Sequence, residues 1–204
     1  MGGGRTMKQI PSLENWCELP TQFGLFRMYD SGQSGLRIVT NGDIRMLPVP
    51  TLVRIHSSCT ASELFSSLDC DCTDQLRQSM RLIADAGHGI IIHLRQEGRG
   101  HGISKKIEVA RLMQTQQFDT VEAFDVLNLE HDPRQYPQVI EILKTLNISE
   151  IHLITNNPRK IQYLSEAGIT VTKRISLKPI IREENYNYLL SKKMRLGHEI
   201  DLPE

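Results

Sequence analysis

The sequence predicts an α/β fold: a layered mixed sheet flanked by helices, with an antiparallel, β-rich N-terminal part. Three observations predict it. Short apolar or β-branched runs separated by turn signals dominate the early chain, helical apolar spacing begins at Thr73, and strand-like and helix-like segments alternate in the second half. A length of 204 residues suits one compact domain whose core needs no disulfide support.

Taken in order, Met1 to Thr6 reads MGGGRT, which lacks the apolar core and cleavage pattern of a secretory signal. Residues 1–18 are expected to be a loosely held extension and 19–204 a single domain. Residues 23–28, 36–40 and 51–55 read as antiparallel strands, divided by the turns Asp30-Ser-Gly and Asn41-Gly-Asp. From Thr73 the apolar residues Leu76, Met80 and Ile83 recur at helical spacing until Gly87 stops them. A strand follows at 89–94, then helices at about 103–114 and 136–146, the second with Val139, Ile140, Leu143 and Leu146 on one face. The strand 151–154 runs into Thr155-Asn-Asn-Pro and a helix ending near Gly168, and a last strand covers 170–175. The polar tail after Arg182 is uninformative.

Lys plus Arg and Asp plus Glu number 24 each, so no global field gathers a polyanion such as nucleic acid, and a small anionic ligand held by local clusters fits better. The apolar runs are too short to cross a bilayer, which predicts a soluble protein with no membrane partner. Three of the four cysteines crowd into one short stretch, a pattern of metal binding rather than of a disulfide scaffold, and it places the chain in a reducing, cytoplasmic compartment.

Cys59 stands at a strand end, and Cys70 and Cys72 in a tight loop before a helix, so three thiolates can converge on one ion. Three protein ligands leave a position for water, which zinc acidifies to a pKa of about 7. Two other readings stay open: buried apolar cysteines, against which Asp69 and Asp71 argue, and a closed structural site with His56 or His93 as fourth ligand. The H-x-E and P-C-x-x-C arrangement of a zinc nucleobase deaminase is absent.

Arg54-Ile-His-Ser-Ser-Cys59, Cys70-Asp-Cys72, His93-Leu-Arg-Gln-Glu-Gly-Arg99 and Thr155-Asn-Asn-Pro-Arg-Lys160 occur in the order, and at nearly the spacing, of GTP cyclohydrolase II. The likeness runs from about Leu19 to His198 and includes Leu19-Pro-Thr, Asp119-Thr-Val-Glu-Ala and Lys193-Met-Arg-Leu-Gly-His198. The chain therefore resembles that family. The resemblance implies a GTP cyclohydrolase II-like catalytic domain that hydrolyses GTP at C8 of the guanine and releases formate and pyrophosphate. The product is then a 2,5-diaminopyrimidinone ribosyl phosphate, at the first step of riboflavin synthesis. It also implies one Zn2+ per chain on Cys59, Cys70 and Cys72, Mg2+ with the triphosphate, and a homodimer.

Residue by residue, the resemblance places Arg54, Ile55, His56, Ser57 and Ser58 against the nucleotide, with Arg54 on the triphosphate side. Gln75, the loop Glu97-Gly98-Arg99, Thr120, Thr155 and Lys160 are further substrate contacts. Asp132 matches a proton acceptor, and Arg134 a nucleophile that attacks the α-phosphate. A guanidinium stays protonated with a pKa above about 12, so the physical reading of Arg134 is electrostatic stabilisation, with Asp132 orienting it. Glu97 is expected to accept hydrogen bonds from the guanine N1–H and amine. Pro158 suits a first helical turn, where free N–H groups and Lys160 can hold phosphate.

Departures from the family pattern surround the expected substrate. A family tyrosine near the zinc and formyl group is matched by Ala110, and no tyrosine lies between Tyr29 and Tyr136. Gly100-His-Gly, Ser104-Lys-Lys and the stretch from Phe124 to Leu129 also differ. These changes keep open a divergent relative that stops at the formylamino pyrimidine or acts on another purine nucleotide or nucleobase, with His101 as a substitute proton donor. A silent zinc-stabilised binding subunit is a third reading, opposed by the retention of Cys59, Cys70, Cys72, Glu97, Arg99, Asp132 and Arg134.

Overall fold

Seven strands share one sheet. In the computed structural model, which describes residues 13–202, they are β1 (Trp16–Thr21), β2 (Gly24–Asp30), β3 (Leu36–Asn41), β4 (Thr51–Ser57), β5 (Gly89–Leu94), β6 (Glu150–Ile154) and β7 (Thr170–Ile175). Their order across the sheet is β1-β2-β3-β5-β4-β6-β7. Residues 1–12 of the expected extension lie outside the described residues. Its last three, Trp16 to Glu18, belong to the edge strand β1 and pair with Tyr29 to Arg27 of β2.

The antiparallel half is β1, β2, β3 and β5; β2 and β3 are antiparallel as expected, whereas β1 and the antiparallel pairing of β5 were not expected. β4, however, is parallel to both β5 and β6, and β6 to β7. The antiparallel strand expected at 51–55 is thus corrected. Both neighbours of β4 are reached through helical crossovers, which bring the chain back to the same end of the sheet.

Those crossovers carry α1 (Thr60–Phe65) and α2 (Cys72–Ala86), then α3 (Gly102–Gln116), α4 (Thr120–Val126) and α5 (Pro137–Thr145). They continue with α6 (Pro158–Glu166), and α7 (Glu183–Leu196) closes the chain. Gly87 ends α2 in the left-handed conformation, and Asn157 caps α6 by accepting from the Arg159 N–H at 2.9 Å, with Pro158 in the first turn. None of the helices among the described residues is long and apolar enough to cross a membrane.

Alternation along the strands divides the core. On one face Val53, Ile55, Ile90, Ile92, Leu94, Ile151 and Leu153 meet Val139, Ile142 and Leu143 of α5 and Leu164 of α6. On the other, Phe26, Leu52, Ile91 and Ile154 meet Ile83 of α2. Each fully buried branched side chain contributes about 1.5–3 kcal/mol. A smaller cluster joins Val109 and Leu112 of α3 to Ala123 and Phe124 of α4.

The helix α7 was not foreseen, because four of its residues, Asn185, Leu189, Ser191 and Lys192, are buried and only one of them is apolar. Its inward face is polar because it covers a site rather than a core. That site lies beyond the carboxyl ends of β4, β5 and β6, where parallel α/β sheets place their ligands.

Candidate active site

Three cysteines meet at the end of β4 and the start of α2. Cys59 follows β4 and precedes α1, Cys70 sits in the intervening loop, and Cys72 opens α2. Their sulfur atoms lie within 4.8 Å of one another, with Cys59 and Cys70 at 3.6 Å. Hydrogen bonds from the other two thiols hold Cys59 far below its ordinary range, and the Lys106 ammonium at 3.0 Å adds to the effect. Cys70 and Cys72 rise in turn, first through those same bonds to Cys59. A trio that cannot ionise together without a cation fits a soft divalent ion, and the helix N-terminus beside it favours thiolate.

His56, Glu63 and His93 form a second convergent group, also within 4.8 Å. It is better read as a pin than as a ligand set. Arg54 Nη2, which can only donate, faces His56 Nδ1 at 3.4 Å, so Nε2 carries the ring proton and donates it to Glu63 Oε1 at 2.9 Å. Burial drives His56 down to about 4, and it is neutral at pH 7. Burial alone would raise the Glu63 carboxyl, but hydrogen bonds from both histidines outweigh it and keep Glu63 ionised. Glu63 Oε1 also accepts from the Cys59 N–H at 2.7 Å, which fixes the cysteine's backbone. Neither histidine belongs to the cysteine group, so the closed four-ligand reading finds no support.

The cysteines line a cavity of about 840 Å³ together with Ser58, Glu97, Gly98, Ala110 and Thr120. A second cavity, of about 90 Å³, is lined by Arg54, His56, Gln75, Thr155, Lys160 and His198, among others. Ser57, Cys72, Arg99, Arg134 and Tyr188 border both. The small cavity is cationic: Arg54, Arg99, Arg134, Lys160 and Lys192 face it, against the single carboxylate Asp132. Burial pushes Arg54 down to about 10 and Lys160 well below the usual amine range, as for charges that lack a counter-ion. Arg54 Nε, Ser58 Oγ, Arg99 Nη2, Thr120 Oγ1 and His198 Nδ1 are buried without a hydrogen-bond partner. Polar atoms left so at a cavity wall await a ligand or water.

A family model described as GTP cyclohydrolase II matches residues 13–176, most of the chain. The chain belongs to the GTP cyclohydrolase II family. A GTP cyclohydrolase-2 from Picrophilus torridus is 41% identical over 188 residues, covering 89% of this chain and 95% of that protein. The GTP cyclohydrolase-2 of Acinetobacter baylyi is 40% identical over 185 residues, covering 89% and 92%. The riboflavin biosynthesis protein RibBA of Bacillus velezensis is 41% identical over 185 residues, covering 88% of this chain but 46% of that protein. The chain thus spans about half the length of its RibBA relatives and nearly all of its GTP cyclohydrolase-2 relatives. The expected class, a hydrolase of the GTP cyclohydrolase II type, agrees with this membership.

Within this GTP cyclohydrolase II fold, one expected contact turns away. Ile55 packs into the core with 0% exposure, because alternation along β4 sends it opposite to Arg54 and His56. Its carbonyl alone serves the site, accepting from Lys160 Nζ at 2.8 Å. Arg54, His56, Ser57, Ser58, Gln75, Glu97, Gly98, Arg99, Thr120, Thr155 and Lys160 all border one cavity or the other, as do Asp132 and Arg134. Glu97 is held in place by its partners: Oε2 takes the Thr60 N–H and hydroxyl at 2.9 Å and Oε1 takes Lys106 at 2.7 Å, which leaves Oε1 one further lone pair. Its neighbour Arg99 sits at φ 57, a left-handed conformation that costs a side-chain-bearing residue and is kept at functional sites. His101 does not border either cavity; its Nε2 lies 2.8 Å from the Glu130 carbonyl.

The sequence assigned no role to four participants: Lys106 beside Cys59, and Tyr188, Lys192 and His198 on or after α7. Lys192 donates to Asp71, between Cys70 and Cys72, at 3.0 Å; Asp71 accepts from Gln75 at 2.6 Å, and Gln75 from Arg54 at 2.8 Å. The motif ending in His198 signalled that the tail mattered, but nothing in it said that the tail was a helix.

Proposed function

We propose that this protein opens the guanine imidazole ring of GTP and releases formate and pyrophosphate, giving a 2,5-diaminopyrimidinone ribosyl phosphate at the first step of riboflavin synthesis. The observation that carries the reading is the shared wall: a cysteine trio suited to zinc in one cavity, a cationic pocket suited to phosphate in the next, and Arg134 on both. Three waters are consumed. One opens the ring at C8, one frees formate, and one cleaves the bond between α- and β-phosphates.

Cys59, Cys70 and Cys72 are the residues that would hold zinc. When bound, it supplies Lewis-acid activation of water near neutral pH. Lys106 neutralises sulfur charge at Cys59 and is itself held by Glu97. Arg54, Arg99 and Lys160 take the triphosphate; the N–H groups expected to help at the start of α6 are already used, since Asn157 accepts from Arg159 and Lys160 and Pro158 has none. Asp132 binds Arg134 through Nε at 2.6 Å and Nη2 at 2.7 Å. Burial would lower Arg134, but this pairing outweighs it and raises the guanidinium further. A group so firmly protonated stabilises phosphoryl charge and does not attack it. Asp132 is paired with Arg134 through both oxygens, and Mg2+ belongs to the same proposal as a companion of the triphosphate.

A homodimer in a reducing, cytoplasmic setting belongs to the same proposal. The second reading, an enzyme that stops at the formylamino pyrimidine, is favoured by Ala110, which borders the large cavity without a hydroxyl. Zinc-loaded protein given GTP, and separately ATP, with mass identification of products, tests both. One formate and one pyrophosphate per GTP supports the full reaction, a formylated product supports the second reading, and no GTP consumption refutes both.

A further inference from the structure

Releasing formate from the opened ring means breaking a formamide C–N bond, and the departing nitrogen needs a hydrogen-bond donor beside it. Along the α3 wall of the large cavity Val109, Ala110 and Met113 carry none, Lys106 already donates to Glu97 and Cys59, and Gln114 offers only an amide. His101 is turned to Glu130. The phenol that does border this cavity comes from α7. Tyr188 lines both cavities, at the junction where the base and phosphate ends of a nucleotide would meet.

Its placement is fixed. Lys192, one turn along α7, holds its ammonium 4.2 Å from the Tyr188 ring centroid and 3.0 Å from Asp71, whose neighbours in sequence are Cys70 and Cys72. Asp71 is fully buried, and this pair is shielded from water. Two short contacts therefore tie the phenol to the cysteine loop. The residue lies past residue 176, where the match to the family model stops, and ahead of the Lys193–His198 motif, which does not contain it.

We propose that Tyr188 is a catalytic hydrogen-bond donor of the formate-releasing step, contributed by the C-terminal helix. The inference rests on the proposed reaction with GTP. In that step water adds to the formamide carbon and the C–N bond breaks; the water's oxygen leaves in formate, and a proton from it ends on the amine. The Tyr188 hydroxyl hydrogen-bonds the departing nitrogen and keeps its own proton. Burial, the largest influence on the phenol, raises it above its ordinary value, so it stays a donor at neutral pH.

The test uses the zinc-loaded full chain, with GTP consumed, formylated pyrimidine and formate measured together. Tyr188→Phe removes one oxygen and keeps the ring against Lys192. It is expected to slow formate release by about 10²-fold, with formylated product accumulating, the KM for GTP within about twofold of wild type, and zinc content unchanged. Adding Ala110→Tyr to Tyr188→Phe returns a hydroxyl from α3 and is expected to recover at least about tenfold of the loss. A Tyr188→Phe protein that releases one formate per GTP at the wild-type rate overturns the assignment, as does one that loses its zinc or its fold. Wild-type protein that consumes no GTP overturns the proposed function and this inference with it.

Discussion

Asp132 grips Arg134 with both carboxylate oxygens, and each partner limits what the other can do. Arg134→Ala is expected to slow pyrophosphate release by about 10² or more while leaving zinc in place, since the lost charge serves the phosphate end; metal analysis beside a pyrophosphate assay reads the split. The Asp132 carboxyl is raised by burial and lowered more strongly by Arg134, and the net shift is downward. Its contribution to stability is therefore complete above about pH 4, the unfolded value, and fades as pH falls through the folded one. Thermal melts of Asp132→Asn should differ from wild type at pH 7 and converge toward it in acid. Cys70→Ser should lose both bound zinc and ring opening, and a metal-free variant with full activity would refute the zinc mechanism. At this scale the sequence was most readable where chemistry demands a residue type: three thiols for a metal, cations for phosphate. It was least readable for Ile55, where strand alternation overrode the motif, and for Glu97, whose partners Thr60 and Lys106 come from other elements.

At the scale of elements, the turn at Gly98 sets the relation between β5 and α3. Its φ is 58°, and a Cβ there would lie 3.2 Å from the Cβ of Lys106. Gly98→Ala is thus expected to cost about 1–2 kcal/mol and to displace the ammonium from Cys59. Faster zinc loss to a chelator, beside a lowered melting temperature, would show both effects; an unchanged zinc off-rate would separate Lys106 from metal retention. The regular elements were legible because their apolar residues keep one period: α2 through Leu76, Met80 and Ile83, and β5 through its run of isoleucines. Two elements broke that logic. β4 is buried on both faces and carries Arg54 and His56 among apolar residues, so its direction could be read only from its crossovers. α7 turns Asn185, Ser191 and Lys192 inward, which erases the amphipathic pattern that would have announced it.

For the whole molecule, the cysteine site works as a staple. It lies between the end of β4 and the start of α2 and reaches α7 through Asp71 and Lys192, so with the proposed zinc bound three separate elements would share one anchor. Removing zinc with a chelator should lower the melting temperature by roughly 10 °C, the order expected for a ligand worth about 4 kcal/mol in a chain of this size. A smaller shift in Lys192→Met than in wild type would show that α7 shares in that anchor. The cationic pocket has a kinetic consequence as well. Among the described residues, Arg54, Arg99 and Lys160 have no carboxylate partner, and cleavage of a triphosphate leaves behind an anion that suits them as well as the substrate did. On the proposed reaction, formate would leave through the larger cavity, whereas pyrophosphate would stay in a space of about 90 Å³ lined by these charges. Its departure is then expected to be the slow step of turnover, which should appear as a burst of ring-opened product equal to the enzyme concentration. Steady-state turnover should rise as added salt weakens the pocket's hold, and a burst-free trace insensitive to salt would place the slow step in the chemistry instead.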